Sequence, residues 1–111
     1  MITVAETSEY AKHARKLLSE KERTELISYL AAHPEAGDVM EGTGSVRKVR
    51  WAREGKGKSG GVRVIYFYYN EGMSLYLLTL YGKSEKGNLS AGERNDLAKL
   101  VTLLVRAAGI R

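Results

Sequence analysis

The chain is 111 residues long, enough for one domain with a real core, and 43% of it is hydrophobic. It has no cysteine, which excludes disulfides, thiolate metal sites and a thiol nucleophile, and its two histidines show no metal-site spacing. The net charge of +5 calls for an anionic partner, nucleic acid before an acidic protein or a membrane surface.

No apolar run approaches the ~20 residues of a membrane span, and the N-terminus lacks the order of a secretion signal. The expected address is the cytoplasm, with no membrane partner. The first residues, Met1 to Ala5, alternate as a short strand. Thr7 or Ser8 can cap a helix running toward Leu18. Ser19 and Glu22 spell a capping box that starts a second helix, with Leu26, Ile27 and Leu30 on one face. Pro34 disfavours helix at His33. Pro34 to Ser45 reads as a glycine-rich connector.

The period then changes to two. Val46 to Trp51 is a strand with Val49 and Trp51 on one side and Lys48 and Arg50 on the other. Val62 to Tyr69 is β-branched and aromatic, like a central strand. Asn70 to Gly72 is a turn, and Ser74 to Tyr81 is the next strand, which completes an antiparallel meander. Ser90 and Glu93 form a second capping box, opening a helix with Leu97, Leu100, Val101 and Leu104 at helical spacing and closed by Gly109. The expected class is α+β, with the helices on one face of a small antiparallel sheet and part of the other face open.

Arg47 to Arg63 carries most of the chemistry. It holds seven of the 18 lysines and arginines against one acid, Glu54. The expected loop from Ala52 to Gly61 presents Lys56 and Lys58 among glycines, which let a backbone approach phosphates closely. Its bland alternative is a solvated hairpin loop. The glycines spell G-x-G-x-x-G-x-V from Gly55 to Val62. The chain is too short for a kinase, a strand rather than a helix follows the glycines, and Ala52 stands where a Walker loop needs glycine. Arg63 alternates with Val62 and Val64, and a guanidinium there can grip a phosphate with two hydrogen bonds. Its alternative is a surface salt bridge. Lys83 and Lys86, after the last strand, can converge on the same end of the sheet, while Tyr81 can stack on a base or pack in the sheet. The remaining tyrosines and Trp51 read as packing. His13 and His33 sit on the helical hairpin, away from the lysine loop.

Three strings carry a resemblance: Gly42 to Arg50, Gly55 to Tyr66, and Leu77 to Lys83. Together they resemble the RelE/ParE toxin superfamily, and within it the HigB-type toxins. The order β-α-α-β-β-β-α agrees with a single RelE-like toxin domain over residues 1–111. The resemblance implies the toxin of a bacterial type II toxin-antitoxin pair. Such a toxin is a metal-independent endoribonuclease without cofactor that enters the ribosomal 30S A site, lined by rRNA, and cuts the mRNA there. A neighbouring gene supplies the neutralising antitoxin, a protein with a helix-turn-helix DNA-binding domain. By position, Lys56, Lys58, Arg63 and Lys83 take the catalytic roles. Arg47, Lys48, Arg50, Arg53, Tyr81 and Lys86 are the expected RNA contacts. Several relatives place a tyrosine near the C-terminus. Residues 106–111 have none, which leaves Tyr81 as the candidate. The chemistry is attack of a ribose 2′-hydroxyl on the adjacent phosphorus. Lys58 or Lys56 is the expected base, activated by neighbouring cations. Arg63 is expected on the non-bridging oxygens, and Lys83 on the phosphate or the leaving group. Two other functions stay open: a ParE-like inhibitor of DNA gyrase, and an RNA-binding domain without catalysis.

Overall fold

The computed structural model describes residues 2–53, 57–83 and 85–109, with backbone alone for Arg53 and residues 57–60. The elements are β1 (Val4–Glu6), α1 (Ser8–Leu17), α2 (Glu20–Ala32), β2 (Asp38–Val39), β3 (Val46–Arg53), β4 (Gly57–Phe67), β5 (Leu75–Gly82) and α3 (Ala91–Ala107). This is the expected α+β order with one short strand, β2, added inside the connector.

Local chemistry sets the helix ends. The Thr7 hydroxyl accepts from the Tyr10 amide at 3.1 Å and also bonds the carbonyls of Leu77 and Leu78, so one residue caps α1 and ties it to β5. Both capping boxes are formed, Ser19 with Glu22 and Ser90 with Glu93. α2 stops before Pro34. Gly109, at φ +72°, takes the left-handed position beyond α3 and donates to the Arg106 carbonyl.

The sheet order is β1-β5-β4-β3-β2. The meander β3-β4-β5 is antiparallel, but β1 pairs parallel to β5, from Val4 opposite Leu75 to Glu6 opposite Leu77. The helical hairpin must therefore carry the chain across the sheet before the meander begins. It covers one face, where Tyr10, Ala14, Leu26 and Leu30 pack with Val62, Val64, Tyr66 and Leu77.

The expectation of helices on one face is corrected here. Met40, Val46, Ile65, Phe67, Leu78 and Val101 form a second core on the opposite face, with Leu97, Leu100 and Leu104 of α3 against it. Residues 64–67 of β4 are buried on both faces, which explains their unbroken apolar run. α3 lies over the end where Val46 faces Phe67, leaving the end of Arg50 and Arg63 less covered.

The ten-residue loop expected from Ala52 to Gly61 is largely strand. The hairpin pairs up to Arg53 opposite Gly57. Between that pair and Trp51 opposite Val62, Ala52 alone opposes four β4 residues, so β4 bulges. A Cβ on Gly61 would lie 2.6 Å from the Trp51 carbonyl oxygen. Glycine is required there by strand approach, whatever the loop binds.

Candidate functional site

Arg63 is the centre of the site. In β4 it faces Arg50 across β3 and Tyr81 across β5, so three side chains form one row on the face opposite the helical hairpin. Arg63 is only 8% exposed. Among the described residues no carboxylate lies within 4 Å of its guanidinium or of Arg50. Like charges directly opposite one another weaken a sheet, and a desolvated cation without a partner adds to the cost. Lys48 lies two residues along β3, on the same face. Lys48, Arg50 and Arg63 line a cavity of about 510 Å³ with Ala36, Asp38 and Gly87. With three cations against the one carboxylate of Asp38, which is paired in register with Lys48, the lining keeps a net positive charge that suits an anion.

Lys83 begins the turn after β5. Its side chain is exposed, and its backbone amide donates to the Gly61 carbonyl at 3.3 Å. Its backbone thus adjoins the start of the Val62–Phe67 stretch, two residues from Arg63. Gly82, paired with Val62, is held by the Glu85 carboxylate, which accepts from the Gly82 amide at 2.8 Å. Lys56 lies outside the described residues, as do the side chains of Lys58 and Arg53, whose backbones belong to β4 and β3.

Three expected RNA contacts have other work. Arg47 faces the other side of the sheet, opposite Tyr66, and its Nη1 donates to the carbonyls of Glu35 (3.2 Å) and Gly37 (2.7 Å). It fastens the 33–37 connector with the help of the Tyr66 hydroxyl, which donates to Pro34 and accepts from Gly37. Tyr81 is 4% exposed, so its ring has no free face for a base. Burial pushes its hydroxyl above the usual tyrosine range, against the pull of Arg63 and Lys86. That hydroxyl has no hydrogen-bond partner among the described residues. Lys86 lies 5.3 Å from the centre of the Tyr81 ring and 2.5 Å from the Glu93 carboxylate. Its charge is paired with Glu93 at the surface, and that bond holds Glu93 below the usual carboxylate range.

The sequence marks Pro34 to Ser45 as a connector but not the place of Ala36 and Asp38 beside the cations, because β2 is only two residues long and its charged residue reads as loop. Among the described residues no group of three or more metal-ligating side chains converges, and no helix is long and apolar enough to cross a membrane.

The site is thus a cationic row on one face of a small α+β fold. Residues 2–109 match the family described as the RelE toxin of the RelE / RelB toxin-antitoxin system. The chain is a member of that toxin family, and the family implies a cognate antitoxin.

Proposed function

We propose that this toxin, of the HigB type, is a metal-independent endoribonuclease that cuts mRNA in the ribosomal A site in the cytoplasm. Its antitoxin, encoded next to it and carrying a helix-turn-helix domain, holds it inactive. The observation that carries this reading is the pairing of Arg50 with Arg63, the latter buried, with no carboxylate within 4 Å of either among the described residues. A scissile phosphodiester supplies the missing negative charge, and the charge grows as the phosphorane forms.

In the proposed reaction the ribose 2′-oxygen bonds to phosphorus and the bond from phosphorus to the 5′-oxygen breaks, leaving a 2′,3′-cyclic phosphate. Lys58 or Lys56 takes the 2′-hydroxyl proton. Arg63 and Arg50 bind the non-bridging oxygens, where loss of one such donor costs about 3 kcal/mol in barrier. Lys83 steadies the phosphate or protonates the 5′-oxygen, and Lys48 and Arg53 bind flanking phosphates.

The test is induction of the wild type and of the double variant K58A/R63A, with primer extension on cellular messages. Codon-phased cuts and growth arrest are expected from the wild type alone. A fully toxic double variant refutes the assignment. DNA damage without message cuts would favour gyrase as the target.

A further inference from the structure

A second concavity lies on the helical-hairpin side of the sheet, across the β2 edge from the cationic one. It is lined by Tyr29, Ala32, His33, Pro34, Glu35 and Ala36, and Ala36 also lines the cavity of Lys48, Arg50 and Arg63. The two linings thus meet at Ala36, in the connector between α2 and β2 at the edge of the sheet. Three aromatic rings meet at this second site. Tyr29 stands 5.0 Å from His33 and 5.4 Å from Trp51, centre to centre. Tyr29 is 39% exposed and His33 is exposed. Trp51 closes the back of the group against the core under the helical hairpin. Packing does not need this exposure: Tyr10 and Tyr66 are fully buried in the same core.

We propose that Tyr29 and His33 form a stacking ledge for one nucleobase of a single-stranded RNA that passes around the β2 edge, past Ala36, with its phosphates on Lys48, Arg50 and Arg63 of the other face. The inference rests on the reading of this toxin as one that acts on RNA. Base-on-ring stacking is indifferent to sequence, because every base offers a π-face. It suits a protein that must hold many messages. The connector that shapes the ledge is anchored by Arg47 and Tyr66 through the carbonyls of Glu35, Gly37 and Pro34. That anchoring gives a role in binding, though an indirect one, to two residues that face away from the cationic row.

Trp51 is the sole tryptophan, so its fluorescence reports on Tyr29. The experiment titrates the intact protein with a short single-stranded RNA at low salt, following both Trp51 emission and the anisotropy of labelled RNA. Wild type should bind with quenching. Y29A should bind about tenfold more weakly with an unchanged salt dependence, and Y29F should match wild type. The double variant R50A/R63A should instead lower the slope of log K against log salt by about 1.4, or roughly 0.7 for each phosphate no longer neutralised. An RNA of equal length lacking its bases should bind wild type no better than Y29A binds the normal strand, and should not quench. The comparison of the two strands on the wild type alone stands even if Y29A fails to fold. Equal affinity of wild type for the normal and baseless strands overturns the ledge, as does full affinity in a folded Y29A. Loss of antitoxin binding alone in Y29A makes this face a protein-docking surface and overturns it too. A wild type that binds neither strand overturns the ledge, while the proposed cleavage stands or falls separately on the primer-extension test.

Discussion

Replacing Arg63 by methionine should make the folded protein more stable while ending its activity. Arg63 is 8% exposed and stands directly opposite Arg50, with no carboxylate within 4 Å among the described residues. Replacing even paired buried charges by apolar side chains of similar volume is often neutral or gains about 1–4 kcal/mol, and an unpaired one has no partner to lose. Here the site opens onto a cavity, so part of the desolvation is relieved and the lower end, about 1–2 kcal/mol, is expected. For a chain of this size each kcal/mol moves Tm by roughly 4 °C. The assay is urea unfolding of both proteins with m held in view. Two controls separate charge from packing. The gain should shrink at about 0.5 M salt, which screens the repulsion from Arg50. An inorganic anion at about ten times its Kd should stabilise the wild type by about 1.4 kcal/mol and R63M much less. Arg47 provides the opposite case one strand away. Its guanidinium donates to two carbonyls, so R47M should lose about 1–2 kcal/mol. If R63M unfolds more easily than the wild type by about 1 kcal/mol or more, Arg63 has a structural partner and the strained-charge argument is wrong.

Gly61→Ala should destabilise by about 1–3 kcal/mol, because its Cβ meets the Trp51 carbonyl oxygen at 2.6 Å and backbone cannot yield as a side chain does; unchanged urea stability would show that the bulge has slack. Glu93 has its carboxyl held below its ordinary value of 4.5, first by the hydrogen bond from Lys86 and then by the Ser90 backbone. A depressed folded-state value means stability that is present above pH 4.5 and lost as the pH falls through the lower value. Melting curves should therefore show E93Q weaker than wild type at neutral pH, with the gap closing below that point; a gap independent of pH would assign the loss to capping geometry alone. Tyr81→Phe removes a buried hydroxyl that has no partner among the described residues, so the variant should be as stable as the wild type or about 1 kcal/mol more so, and still toxic. A stable but harmless Y81F would put that hydroxyl in the chemistry.

Most of the fold was legible in the sequence because its signals are local. The two capping boxes and Gly109 mark helix ends through bonds that span a few residues, Pro34 does so through a clash with the residue before it, and all of them are used as read. What failed were statements about pairing and sidedness, which depend on distant residues. Nothing between Pro34 and Ser45 announces β2, whose pairing rests on Lys48 and Arg47 of β3. The side on which α3 docks is decided by the second row of β4, where Ile65 and Phe67 offer an apolar surface as good as that of Val62 and Val64. The same limit explains the fate of the basic cluster. Arg47, Lys48 and Arg50 look alike in the string, but the pleat turns Arg47 to the connector and the other two to the open end.

Sequence alternation alone did place Arg63 opposite the valines, though it could not reveal the second arginine facing it. That pairing is the point where local preference and global fold disagree. A β4 strand with leucine at position 63 would satisfy pattern, packing and electrostatics together, and would complete the second core toward the cavity. Natural sheets carry such a conflict where a ligand resolves it. The stability that R63M should recover therefore measures what the fold gives up to keep an anion site prepared, and the anion-dependent part of the wild type's stability measures how much of it the ligand returns.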